Sequence, residues 1–218
     1  MSYRQELETA KKAALAAGQI LIEQKNNLNK SIFSSNTDIK LKADIVAEKL
    51  IKEILIDETS FPILAEESGQ SSDQLSNIFW VVDPLDGTAN YSRNIPICCV
   101  SIALIKNMEP VLGVIYDFSN NDLYEGSVNT SAMQNGLEIK VSDISNQGEG
   151  ILITGLPNKT DYSDEALLKM VKDFQGWRKV RMIGSAAIGS VYIASGKADV
   201  YKESRTYLWD VAAGAAIV

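Results

Sequence analysis

The chain has 218 residues, is 45% hydrophobic and 22% charged, and carries a formal net charge of −7. That length suits one large or two small domains with a substantial core, while the acidity argues against a nucleic-acid backbone partner, which needs a basic surface to displace counterions. Histidine is absent, which removes Ser-His-Asp hydrolysis, cysteine–histidine proteolysis and the usual histidine zinc sites, and leaves proton transfer to carboxylates, hydroxyls, lysine or metal-bound water.

The N-terminus is polar and lacks the apolar segment of a signal peptide, and no apolar run reaches membrane-spanning length; a cytoplasmic protein with no membrane partner is expected. Residues 3–24 are predicted to form an amphipathic helix with Tyr3, Leu7, Ala10, Ala14, Ala17 and Leu21 along one stripe. The Asn- and Ser-rich stretch 26–38 reads as a loop, and a second helix starts near Asp44, burying Ala47, Leu50, Ile51, Ile54 and Leu55 with Glu48 and Lys52 as a favourable exposed pair. Strands follow over 61–65, 78–82, 98–105, 111–116 and 123–126, with polar links at 106–110 and 119–122 that fit antiparallel hairpins. Cys98 and Cys99 lie side by side in one of these runs and read as buried thiols. A change of composition over 142–150 suggests a boundary, giving an N-terminal α+β domain (1–145) and a C-terminal α/β domain (146–218). Beyond it come a strand at 151–154, a helix over 163–174, a strand at 179–182, a small-residue helix over 185–195 and a strand at 199–202. The last segment, 210–218, is apolar, helical and uncapped, which suggests further structure after Val218. The expected fold class is α/β, an α+β layered sandwich. An antiparallel sheet with N-terminal helices would be followed by a smaller α/β layer, with a site between them.

The segment Trp80-Val81-Val82-Asp83-Pro84-Leu85-Asp86-Gly87-Thr88 places two carboxylates three residues apart directly after a strand. Proline fixes its own backbone and glycine permits a tight turn, so Asp83, Asp86 and a backbone carbonyl can be aimed at one point. Such an arrangement suits Mg2+, which takes hard oxygen ligands in fixed geometry. Taken alone, the loop is as readily ordinary turn chemistry. Glu66 and Glu67 after a strand, and Asp210 opening a helix, could complete a metal site; in isolation the glutamates also read as a solvated turn, and Asp210 reads first as a helix-start acid.

Taken in order, Glu66-Glu67, Asp-Pro-Leu-Asp-Gly-Thr and Trp209-Asp210-Val211-Ala212-Ala213-Gly214 resemble the inositol monophosphatase family, of the lithium-sensitive, Mg2+-dependent phosphomonoesterases. Asn90-Tyr91, Ile95-Pro96, Ile183-Gly184-Ser185-Ala186-Ala187 and Gly196-Lys197-Ala198-Asp199 extend the resemblance over nearly the whole chain. It implies Glu67, Asp83, the Leu85 carbonyl, Asp86 and Asp210 as metal ligands, with Glu67, Thr88 and Asp44 orienting and deprotonating a metal-activated water. It implies that Asp86, Gly87, Thr88 and Asp210 contact the substrate, with Gly87 and Thr88 offering amides to phosphate at the start of a short helix. Gly184, Ser185, Ala186 and Glu203 would line the sugar or polyol. The implied cofactor is Mg2+, the implied partner a small phosphorylated substrate, and a homodimer is the family's usual assembly.

In the family a threonine usually stands three residues before the acid matched by Asp44; here Leu41 stands there. The leading expectation is hydrolysis of a phosphorylated polyol such as inositol monophosphate. The alternatives are 3′-phosphoadenosine 5′-phosphate phosphatase, fructose-1,6-bisphosphatase, and a catalytically silent scaffold of the same fold.

Overall fold

The computed structural model describes residues 3–34, 39–72, 75–156 and 161–218. The chain opens with helix α1 (Arg4–Glu23) and a single helical turn, α2 (Lys25–Leu28). An antiparallel hairpin of β1 (Ser31–Ser34) and β2 (Ile39–Leu41) then runs directly into helix α3 (Lys42–Glu58). The stretch expected as a loop at 26–38 therefore contains α2 and β1, with 35–38 outside the described residues. The four residues of β1 are all exposed, so no apolar alternation marks them as a strand.

An eight-stranded sheet follows, built from β3 (Ile63–Ala65), β4 (Gly69–Gln70) and β5 (Ile78–Asp86). After the short helix α4 (Thr88–Ser92) it continues through β6 (Cys99–Lys106), β7 (Glu109–Asp117), β8 (Asp122–Ser127), β9 (Thr130–Gln134) and β10 (Leu137–Glu138). The spatial order is β10-β9-β8-β7-β6-β5-β3-β4, antiparallel except where β3 runs parallel to β5. The polar strands β9 and β10 carry no alternation strong enough to have been read from sequence.

A mostly irregular connection leads to β11 (Ile151–Thr154), helix α5 (Asp164–Phe174), β12 (Lys179–Met182), helix α6 (Ala186–Ala194), β13 (Val200–Lys202) and helix α7 (Leu208–Ile217). The three strands form a parallel sheet in the order β12-β11-β13. Crossover helices are what parallel neighbours require.

Two apolar clusters lie on opposite faces of the large sheet. Trp80, Val82, Ile102, Leu104 and Val114 pack beneath α1 and α3, where Ala10, Ala13, Ala14 and Ala17 let the helix lie close. Phe79, Val81, Ala103, Ile105 and Ile115 face α6 and α7. The result is the layered α/β architecture that the sequence predicted. The expected boundary falls in the connection between the two sheets, yet α6 and α7 share a core with the first sheet. Helix α7 sits so close to β7 that a side chain at Gly113 would collide with the Ala213 backbone.

Candidate active site

The site forms at the C-terminal end of β5. Side chains alternate along a strand, so two acids three residues apart should face opposite sides. Here the register slips: Asp83 pairs with Ser101 while Asp86 pairs with Cys99, so β5 carries one extra residue between them. This bulge resets the alternation. Phe79 and Val81 face α6 and α7, Leu85 faces α1 and α3, and Asp86 again faces α6. Both carboxylates thereby share one side of the sheet, and the Leu85 carbonyl accepts a hydrogen bond from Thr88 Oγ1 at 3.0 Å.

The pair Glu66-Glu67 divides differently from the sequence expectation. The Glu66 amide donates to the Val82 carbonyl at 3.1 Å, extending the parallel pairing of Ala65 with Val82 by one step. That step sets Glu66 beside Asp83, to which its side chain is hydrogen-bonded. Glu67 turns the other way, with Oε2 3.0 Å from the Lys40 ammonium. The buried Glu48 fixes this turn by accepting from the amides of Glu67 at 2.8 Å and Ser68 at 3.1 Å. Sequence reasoning put Glu48 in an exposed pair with Lys52, whereas Glu48 is buried under this turn and Lys52 bonds Ser68; it also missed the choice between the adjacent glutamates. The strand's alternation was the usable signal for the second: 79, 81 and 83 face one way, and the residue paired next to 83 is the one after Ala65.

Gly87 takes φ 87°, a left-handed conformation, and starts α4 at Thr88. Its missing side chain also matters, because a Cβ there would lie 2.7 Å from the Ile97 carbonyl. The Thr88 hydroxyl lies 2.9 Å from Asp44 Oδ1 and has one proton to share between Asp44 and the Leu85 carbonyl. Asp44 caps α3 by accepting from the Leu41 amide at 2.7 Å, so the leucine that departs from the family pattern supplies its backbone only.

From the other side, Asp86 Oδ2 accepts from Ser185 Oγ at 2.6 Å and from the Ala187 amide at 2.7 Å, joining β5 to the start of α6. The Ala186 amide also bonds to Asp86. Gly184 precedes this turn with φ 72°, and the Asn90 amide group ties it to α4 by donating to the carbonyls of Ile97 and Ile183, each at 2.8 Å. Asp210 accepts from the Tyr207 amide at 2.6 Å in the first turn of α7. Glu203 accepts from the Tyr201 hydroxyl at 2.9 Å, and its carboxylate fills the space where Gly155 has no side chain.

Burial dominates the electrostatics. It pushes Glu66 up to about 8 and Asp44 and Asp210 each up to about 6. Asp83 and Glu203 are raised as well, burial first, with neighbouring carboxylates adding to the effect, while burial raises Asp86 against the lowering hydrogen bonds from Ser185 and the Ala187 and Ala186 amides. Glu66 and Asp83 act as one acid pair sharing a proton. Raised acids in mutual contact lack a counter-charge, and hard oxygen donors with room for water are what Mg2+ prefers. Among the described residues, no three acidic or thiol side chains are drawn together closely enough to hold a metal ion by themselves. The chemistry of the donor set, carboxylate and carbonyl oxygen only, suits a hard divalent cation.

A sequence profile described as the inositol monophosphatase family matches residues 2–218. The chain belongs to that family. It is 38% identical over 211 residues to the Nus factor SuhB of Xylella fastidiosa, covering 95% of this chain and 76% of the relative. It is 34% identical over 218 residues to the fructose-1,6-bisphosphatase/inositol-1-monophosphatase of Aquifex aeolicus, covering 97% and 81%. The solved inositol monophosphatase of Anabaena superposes with a TM-score of 0.88 at 34% identity, covering 100% of this chain and 81% of that one. As an inositol monophosphatase family member the chain is a phosphatase, a hydrolase. No helix among the described residues is long and apolar enough to cross a membrane.

Proposed function

We propose that the chain is a Mg2+-dependent phosphomonoesterase that hydrolyses a small phosphorylated polyol or sugar such as inositol monophosphate. The observation that carries this reading is the meeting of the Glu66–Asp83 acid pair, Asp86 and Asp210 with the Thr88–Asp44 hydrogen bond around one strand end. Glu66, Asp83, the Leu85 carbonyl, Asp86 and Asp210 are the proposed metal ligands. Glu66 takes the place expected for Glu67, whose carboxylate is engaged by Lys40. Bound there, Mg2+ supplies Lewis-acid polarisation of the phosphoryl group and a lowered pKa for water.

The chain's own groups do the positioning. Thr88 donates to Asp44 and keeps oxygen lone pairs free to accept from a water, and Asp44, at about 6, is mostly ionised at neutral pH and able to hold its proton. The amides of Gly87 and Thr88, at the start of α4, would donate to the phosphate. Ser185 and Ala187 fix Asp86 in one orientation. Glu203 accepts hydrogen bonds from substrate hydroxyls, beside the turn formed by Gly184, Ser185 and Ala186. A cytoplasmic homodimer belongs to the same reading.

The test is phosphate release with and without Mg2+ from inositol 1-phosphate, fructose 1,6-bisphosphate and 3′-phosphoadenosine 5′-phosphate, with Asp83→Asn as control. Fructose 1,6-bisphosphate is included because the Aquifex relative carries both activities in its name. Mg2+-dependent release that the substitution abolishes supports the proposal and selects the substrate. Silence on all three refutes it in favour of a non-catalytic scaffold.

A further inference from the structure

An ion pair beside the acid cluster has no part in the mechanism outlined above. Lys40, on β2, places its ammonium 3.0 Å from Glu67 Oε2, and the Glu67 side chain retains only 9% of its exposure. Glu67 directly follows Glu66 and acts electrostatically on both Glu66 and Asp44. It is thus a further carboxylate at the edge of an acid cluster, with oxygens suited to a divalent cation. Two features hold the pair in place. Glu48 pins the turn from below through the Glu67 and Ser68 amides. Strand β2 continues into α3, so Lys40 is anchored a single helical turn from Asp44.

We propose that Lys40 is a positioning residue, an internal cation that holds Glu67 out of the metal's reach and leaves Glu66 as the ligand from this pair. The inference rests on the reading that the cluster binds Mg2+, and it adds a consequence specific to Lys40. A fixed positive charge beside the cluster opposes Mg2+, so the protein trades affinity for a defined ligand set. Removing the ammonium both lifts that opposition and releases Glu67 as an added donor. One elementary charge acting on a divalent cation across roughly 8–10 Å of partly hydrated protein corresponds to about a three- to ten-fold change in affinity.

The experiment is calorimetric titration of Mg2+ into metal-stripped protein, with melting curves confirming that each variant folds. Lys40→Met should bind Mg2+ about three- to ten-fold more tightly than the parent, with Lys40→Gln as a second, polar replacement. Lys40→Arg should restore parental affinity, and Lys40→Met combined with Glu67→Gln should lose the gain. Lys52→Met removes an exposed lysine bonded to Ser68 in the same turn and should leave affinity near the parental value. Unchanged or weaker binding in Lys40→Met overturns the proposal, as does a gain that persists without the Glu67 carboxylate. If the parent binds no Mg2+ while remaining folded, the metal reading and this inference fall together.

Discussion

Replacing Glu66 by Gln should stabilise the metal-free protein at alkaline pH. Glu66 is raised from an ordinary 4.5 to about 8, chiefly by burial. Between those values the folded chain holds a proton that the unfolded chain has released, so stability falls as pH rises through that window and is lost above it. For Glu66 this amounts to about 5 kcal/mol at most, and to about 2 kcal/mol if water enters the site on ionisation. Glutamine removes the titration and keeps a donor for Asp83, which can then ionise beside an amide. Urea unfolding in chelator from about pH 5 to about pH 9 checks this, with the parent losing about 2–5 kcal/mol more than Glu66→Gln. Parallel profiles for the two proteins would show that Glu66 is not the buried acid of the cluster. By the same sign, Mg2+ should raise the melting temperature of the parent more at alkaline than at acid pH, because the cation replaces the proton.

Thr88→Val keeps the shape of the side chain and removes the bond to Asp44; kcat should fall by about a hundred-fold or more with a smaller change in KM, measured by phosphate release. Asn90→Ala frees the turn before α6 by deleting its bonds to Ile97 and Ile183; stability should drop by about 1–3 kcal/mol in urea unfolding and KM should rise. Gly113→Ala forces a methyl group into the α7 backbone and should cost about 1–3 kcal/mol or more. It should also weaken Mg2+ binding in calorimetry, because Asp210 is carried by that helix.

The sequence was most readable where local and tertiary preferences agree. The apolar stripe of α1 and the run 151–154 appear as expected, and α4 begins directly after Gly87. The polar strands β9 and β10 gain their order from pairing with β8 and carry little signal of their own. Within the site, residue type revealed the acids, and their order along the chain revealed the family. Side-chain direction was less accessible. The choice between Glu66 and Glu67 depends on the parallel register of β3 with β5, a pairing between segments separated by a turn and a further strand. The role of Asn90 depends on carbonyls over ninety residues away, at Ile183 and Gly184, and composition cannot report such a contact.

The extra residue in β5 also sets how the motif can be edited. Deleting either Pro84 or Leu85 would remove the bulge and leave the two aspartates as an Asp-x-Asp pair on a regular strand. An Asp-x-Asp spelling on an unbulged strand would put both acids on one side as well, but every intervening backbone group would then belong to the ladder. The one-residue slack is what releases the Leu85 oxygen from sheet pairing and presents it to Thr88. Spacing therefore carries information that identity does not. A relative with every acid in place but one residue fewer in this loop would keep the alphabet of the site and lose its grammar.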